Sequence, residues 1–274
     1  MLKFQLVLPL TFLLSFISNI SVEASSTKTD VSLLGQTNLQ SSGSSETFDD
    51  RLDALIAQTE STEAELYFTQ GLDYLNTGNF QAASDEFSQA IELDPDFVDA
   101  YNRRGVARSI LGDHQGAIED QTRAINLAPD FAAAYISRGI GRSILEDHQG
   151  AIEDYTEAIR LNPNIPEAYN SRAIDRGQLG DYEGALEDFS RAVELAPSYA
   201  QVYYNRATLY LQLGDSTSAT ADLQTAAELA SAQNDERLYQ QAVDLLDRIP
   251  SISPDSLQTD PSVSPTIRQG ETDE

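Results

Sequence analysis

The strongest constraint on this chain is a self-similarity with a period of 34 residues. Asp113–Gln115 returns as Asp147–Gln149, and Ala117–Asp120 returns as Ala151–Asp154. Tyrosines and prolines keep the same step, at Tyr67, Tyr101, Tyr135, Tyr169 and Tyr203 and at Pro95, Pro129, Pro163 and Pro197. A fixed period of this length is typical of proteins in which each unit packs only against its neighbours. The series predicts five units, over 64–97, 98–131, 132–165, 166–199 and 200–233.

Each unit is predicted to be a pair of antiparallel helices. In the first unit Tyr67, Gly71 and Tyr74 share one helix face by their i, i+4, i+7 spacing, and the second helix repeats this spacing from Ala83. The Gly71 and Ala83 positions hold only Gly or Ala in all five units. Small residues there would let two helix axes approach to about 8 Å. The spaces between helices are predicted to be filled by Phe87, Tyr155 and Phe189.

Glycines mark the turn between the two helices of a unit. They occur at Gly78, Gly112, Gly180 and Gly214, where a left-handed backbone would end the first helix. The third unit has Glu146 at this position instead. A left-handed conformation at Glu146 would cost on the order of 1 kcal/mol.

These features together resemble the tetratricopeptide repeat (TPR) family, whose 34-residue pattern the first unit follows with Tyr67, Gln70-Gly71, Tyr74, Ala83, Phe87, Ala90 and Pro95. The resemblance implies an all-α, right-handed superhelical solenoid whose first helices line a concave groove. The fifth unit departs from the pattern with Leu223 and Ser231. The stretch 235–248, with Leu238, Ala242, Leu245 and Leu246, is predicted to be the capping helix that closes such an array.

Arginine is the main departure from the family pattern inside the units. Arg104 and Arg108 form an i, i+4 pair that returns in the next two units, and like charges at this spacing destabilise a helix unless acids lie nearby. An Asp follows the first Arg at a constant distance, in the pairs Arg104–Asp120, Arg138–Asp154, Arg172–Asp188 and Arg206–Asp222. Two interpretations stay open: a structural ladder of ion pairs between helices, or a row of arginines that binds acidic peptides.

The groove is the candidate binding site that the resemblance implies. Its lining would be Phe68, Leu72, Asn102, Val106, Ile136, Ile140, Asn170, Ile174, Tyr204 and Thr208. Apolar groups with amides suit an extended or helical peptide. The alternative is that some of these side chains only pack against neighbouring helices. The basic carboxylate clamp known in the family is not expected, because Phe68 and Leu72 stand where it needs Lys and Asn.

Several other function classes are unfavoured. The formal charge of −27 opposes binding to nucleic acid, and the chain has no Cys to ligate zinc or form disulfides. His114 and His148 share a turn position with Phe80 and Tyr182, which indicates ring packing rather than a metal site. No nucleophile elbow, phosphate loop or HExxH motif occurs. We therefore expect no catalysis, no cofactor, no metal and no small-molecule substrate.

The two ends differ from the repeats in composition. Residues 1–24 resemble a secretory signal, with Lys3 before an apolar stretch and cleavage predicted after Ala24. Residues 25–60 are predicted to be a flexible Ser/Thr/Gln-rich linker in which Leu52 to Ile56 could form a short helical turn, and 249–274 a disordered acidic tail.

The sequence thus predicts a non-enzymatic scaffold that binds proteins or peptides in the assembly of an envelope or luminal complex. It would be exported to a periplasmic or luminal site of a bacterium, with secretion as the alternative location. The alternatives are a membrane-tethered spacer, in which the signal segment stays attached and touches the membrane, and an accessory subunit of an enzyme.

Overall fold

The computed structural model describes residues 48–249, and within that range the chain is all helix and turn. The helices are α1 Phe48–Asn76, α2 Phe80–Leu93, α3 Val98–Ile110, α4 His114–Leu127, α5 Ala132–Ile144, α6 His148–Leu161, α7 Pro166–Leu179, α8 Tyr182–Leu195, α9 Ala200–Leu213, α10 Ser216–Ala232 and α11 Glu236–Leu246. The predicted signal segment and the predicted tail from residue 250 onward lie outside the described residues, as do residues 25–47 of the predicted linker.

The helices pair in the order that the period predicts. Each helix from α2 to α10 packs against the helix before it and the helix after it, so that five helix pairs form a stack. The predicted all-α solenoid is therefore confirmed.

Small residues form the seam inside each pair. A Cβ atom added to Gly71 would lie 2.5 Å from the Phe87 ring, and one added to Gly139 would lie 2.7 Å from the Tyr155 ring. Both rings are completely buried, and Phe189 is only 1% exposed. The predicted wedge of aromatic side chains between the helices is therefore present.

The turns of the second to the fifth unit show why an Asp follows each of them. The carboxylates of Asp113, Asp147, Asp181 and Asp215 accept a hydrogen bond from the backbone N–H three residues later, at 3.0–3.1 Å. This contact caps the second helix of the unit. The residue before each Asp is left-handed, with φ between 83° and 89° at the glycines and 63° at Glu146.

The first helix begins earlier than the sequence predicts. A flexible linker over 25–60 is wrong for residues 48–60, which form the first turns of α1. No Gly or Pro interrupts the chain between Phe48 and Gln70, and Ala, Leu, Gln and Glu are abundant there. The helix therefore continues about 16 residues beyond the first repeat unit, which begins at Ala64.

The C-terminal end of the array consists of a lengthened second helix, α10, and the capping helix α11. With Ser231 in place of Pro, α10 extends to 17 residues, whereas α8 has 14. The predicted cap is confirmed as α11, whose Leu238, Ala242 and Leu245 are buried against the fifth unit. Among the described helices, none combines the length and apolar character needed to cross a membrane.

Replacing Glu146 with Gly should stabilise the protein, because the substitution removes the steric cost of a left-handed non-glycine residue. We expect a gain of about 1 kcal/mol, which corresponds to a melting temperature higher by about 2–4 °C for a domain of this size. Gly180→Glu is the reciprocal control and should lower the melting temperature, since it places Glu at φ 86°. An unchanged or lower value for Glu146→Gly would contradict this explanation.

Candidate functional site

A bidentate ion pair joins the two helices of each unit from the second to the fifth. In the third unit, Arg138 Nε donates to Asp154 Oδ2 at 3.0 Å and Nη2 donates to Oδ1 at 2.6 Å. The same two bonds, at 2.7–2.9 Å, occur in Arg104–Asp120, Arg172–Asp188 and Arg206–Asp222. The planar guanidinium matches the carboxylate, and this geometry fixes the two helices in both distance and rotation.

A second arginine shares each carboxylate in the three middle units. Arg142 Nη1 donates to Asp154 Oδ2 at 2.9 Å and to the Gly150 carbonyl at 3.1 Å. Arg108 and Arg176 make the equivalent contacts. A carboxylate buried between two guanidiniums offsets the repulsion expected from the i, i+4 arginines.

The ladder also ties each unit to the preceding one. The third guanidinium nitrogen donates to a hydroxyl of the preceding second helix at 3.1–3.3 Å, in Arg104–Ser88, Arg138–Thr122, Arg172–Thr156 and Arg206–Ser190. The same guanidiniums lie 5.6–5.7 Å from the ring centres of Tyr101, Tyr135, Tyr169 and Tyr203. These hydroxyl contacts were not predicted, although Ser or Thr recurs at a 34-residue step in the sequence.

These contacts decide between the two interpretations of the arginines. The side chains of Arg104, Arg138, Arg172 and Arg206 are only 12–16% exposed, and their guanidiniums already bind a carboxylate and a hydroxyl. Little of each donor surface is left for an acidic peptide. The arrangement is therefore that of the structural ladder.

The predicted groove lining is mostly interior. Seven of its ten residues are buried: Asn102, Val106, Ile136, Ile140, Asn170, Ile174 and Thr208. The prediction that these seven side chains line an open groove is wrong. They are the fifth or ninth residue of a repeat unit, and the neighbouring first helices pack close enough to cover those positions. Asn205 Nδ2, for example, donates to Asn170 Oδ1 at 3.0 Å between α9 and α7. Phe68, Leu72 and Tyr204 remain half-buried and can still contact a ligand.

The accessible residues on this face lie one helical turn earlier. They are the second residues of the five units, three residues before the fifth ones: Glu65, Asp99, Ala133, Glu167 and Gln201. Glu65 is exposed and the other four are half-buried. Three of the five are acidic and none is basic. The i−3 periodicity could have identified them from the sequence.

Charges near this face are partly desolvated. Burial raises the pKa of Asp99, an effect that Arg103 opposes, and burial lowers the pKa of Arg103. The pKa of Tyr199 is raised by burial and by the nearby charge of Glu167. Asp99 therefore lies near a basic group, Arg103, that offsets part of its charge.

A polar cluster joins the third and fourth units. Ser143 Oγ donates to Asp175 Oδ1 at 2.7 Å, and His148 Nδ1 lies 2.6 Å from the same oxygen. Burial raises the pKa of Asp175, against the hydrogen bonds from His148 and Ser143. Ser143 donates to Asp175 and not to His148, so these three side chains lack the Ser–His hydrogen bond of a Ser–His–Asp triad.

The second unit offers an internal comparison for this cluster. His114 holds the same turn position as His148, but its Nδ1 lies 3.3 Å from Ser109 Oγ. Gly141 stands where the next unit has Asp175. The two histidines therefore have different partners, which the shared turn motif did not indicate.

Family models agree with the observed helix pairs. A model of the tetratricopeptide repeat matches residues 68–135, another matches 133–165 and 200–233, and a TPR repeat model matches 178–214. The chain belongs to the tetratricopeptide repeat family. A search among curated proteins gives no significant match.

Solved TPR structures share the fold of this chain. MamA from Desulfovibrio magneticus RS-1, solved from its residue 41 to the end, is 19% identical with a TM-score of 0.57, and the match covers 63% of this chain and 97% of the solved MamA chain. TTC0263, a thermophilic TPR protein of Thermus thermophilus, is 21% identical with a TM-score of 0.57, covering 66% and 98%. YrrB, a TPR protein with an unusual peptide-binding site, is 21% identical with a TM-score of 0.53, covering 70% and 97%.

Removing one rung of the TPR ladder should strongly destabilise the array. Arg138→Leu deprives the buried Asp154 of its bidentate partner and should lower the free energy of unfolding by about 3 kcal/mol. Urea denaturation followed by circular dichroism measures the change. Arg160→Leu is the matched control, because Arg160 pairs with Glu157 on the exposed surface and should change stability little. Equal effects of the two substitutions would refute a structural role for the ladder.

Proposed function

We propose that this TPR chain is a non-enzymatic scaffold that binds a protein or peptide on the concave face of its first helices. The observation that carries the proposal is the ladder itself, because it holds successive first helices in fixed positions relative to each other. A binding surface that is ordered before the ligand arrives loses less entropy on association. Repeat arrays present such a surface over several units.

The charge of the face favours a basic partner. Glu65, Asp99 and Glu167 are accessible there, beside the half-buried rings of Phe68 and Tyr204. Carboxylates attract Lys and Arg side chains, while the rings offer apolar contact. The same charge disfavours nucleic acid. YrrB, whose fold is similar, has a peptide-binding site, which supports a peptide as the class of ligand.

The chemistry of the described residues supports binding rather than catalysis. The ladder arginines and aspartates bond to each other, and Ser143 donates to Asp175 without a hydrogen bond to His148. These groups hydrogen-bond to each other within the fold, and none of them forms the arrangement of nucleophile, base and orienting group that nucleophilic catalysis needs.

Export is the remaining part of the proposal. Lys3, the apolar stretch that follows it and the small residue Ala24 support a cleaved signal and a periplasmic or luminal location. These residues lie outside the described range. The alternatives are tethering through an uncleaved segment and association with one enzyme as an accessory subunit.

Site-specific photo-crosslinking in the native envelope tests the proposal. A photoreactive residue replaces Glu167 on the concave face, and in the control strain it replaces Glu187, which is exposed on the second helix α8. We expect one recurrent protein to crosslink from position 167 and not from position 187. Mass spectrometry of the same sample identifies the mature N-terminus, which we expect at Ser25.

Three results would contradict the proposal, and a fourth would favour one of its alternatives. Absence of crosslinks from position 167, or the same products from both positions, would remove the concave face as the binding site. A mature protein that still begins at Met1 would contradict cleavage and release, and would favour the alternative of a membrane-tethered spacer. A single enzyme among the crosslinked proteins would favour the accessory-subunit alternative.

A further inference from the structure

The exposed large hydrophobic residues of the described chain fall on two surfaces. One is the set of turns between paired helices, with Leu111, Ile144, Leu145, Leu179 and Leu213. The other is a single face of α1, here called the α1 stripe, with Leu52, Ile56, Glu63, Leu66, Gln70 and Tyr74. The spacing of 4, 7, 3, 4 and 4 residues places the six side chains of the stripe on one side of the helix.

The α1 stripe corresponds to a helix-binding face in the other units. Leu66 is 56% exposed, whereas the equivalent Ala100, Ala134, Ala168 and Val202 are completely buried. Each of those four lies against the second helix of the preceding unit; Ala100, for example, clusters with Ala90 and Ile91 of α2. The first unit has no preceding unit in the described chain, so its equivalent face stays open.

The two ends of the array are therefore different. At the C-terminal end α11 covers the last unit and turns Gln240, Gln241 and Asp244 toward solvent. A repeat array needs such a polar outer face at each end to stay soluble. At the N-terminal end, α1 instead extends the open face by about four helical turns beyond the first unit. The stripe from Leu52 to Tyr74 is about 33 Å long, enough to pair with one helix of similar length.

The charge around the stripe selects the occupant. Asp53, Glu60, Glu63 and Asp73 are exposed along it, and no Lys, Arg or His occurs between Leu52 and Asn76. A second copy of the chain on the stripe would bring its own acidic residues against these acids, and the two would repel. A helix with an apolar face and basic flanks is complementary to both the apolar residues and the acids of the stripe.

We propose that the α1 stripe binds a basic amphipathic helix of a partner protein, which packs on α1 as the second helix of a preceding unit would. This surface is separate from the concave face, and binding at one does not require the other. The chain would thus hold two partners at once, one along its groove and one at its N-terminal end.

Fluorescence anisotropy with the full mature chain tests this surface. The probe is a labelled synthetic helix of about 20 residues, with Ala and Ile on one face and Lys at the flanking positions. The control peptide has Glu at every Lys position. We expect the Lys peptide to bind at least about tenfold more tightly, with an affinity that falls as salt rises from about 0.05 to 0.3 M.

Matched variants locate the binding site. Leu52→Ser, Ile56→Ser and Leu66→Ser together should weaken binding at least about tenfold. The control combines Leu145→Ser, Leu179→Ser and Leu213→Ser at the turns, where the residues are 48%, 52% and 45% exposed against 44%, 46% and 56% on the stripe. This control should change affinity less than about twofold. Glu60→Gln with Glu63→Gln, which keeps the helix, should reduce the salt dependence.

Four results would overturn the proposal. Equal binding of the Lys and Glu peptides would remove the charge argument, and equal losses in the two triple variants would mean non-specific binding. A dimer in analytical ultracentrifugation that the stripe variant dissociates would make a second copy the occupant. A tenfold or larger gain in affinity on deleting residues 25–47 would show that the chain's own N-terminal segment covers the stripe.

Discussion

The bidentate bond between a first-helix Arg and a second-helix Asp is the interaction on which the rest of the array depends. It sets the position of two helices within a unit, and its third nitrogen reaches a hydroxyl of the preceding unit at 3.1–3.3 Å. With no Cys in the chain, no disulfide can supply this constraint. Packing of small residues brings the helices close, and the buried ion pairs restrict which register that close packing takes.

The sequence predicted the fold and the ladder because both follow from a strict period. A residue type that returns at a 34-residue step, such as Arg138 and Arg172, occupies the same environment in each unit, so one correct placement gives all of them. Contacts that occur once were not predictable in this way. The Asp175–His148 contact occurs once, because the position equivalent to Asp175 in the preceding unit is Gly141, which offers His114 no carboxylate.

The candidate site was predicted less well than the fold. Periodicity predicts which face of each first helix lines the groove, but not how deeply neighbouring helices cover it, so Ile136 and Asn170 are interior whereas Glu167 is accessible. How deeply a side chain is buried depends on the distance between neighbouring helices, and the period of the sequence does not determine that distance. The early start of α1 was missed for a related reason: Ser and Thr near residue 60 suggested a linker, although the surrounding residues favour helix.

A double-mutant cycle on Arg172 and Asp188 tests the central claim most directly. Each single change to Leu leaves a buried charge without its bidentate partner and should cost about 3–5 kcal/mol of unfolding free energy. The double variant should lose much less than the sum, giving a coupling energy of about 2 kcal/mol or more. A coupling energy near zero, with the two single losses simply adding, would contradict the claim that this ladder holds the array together.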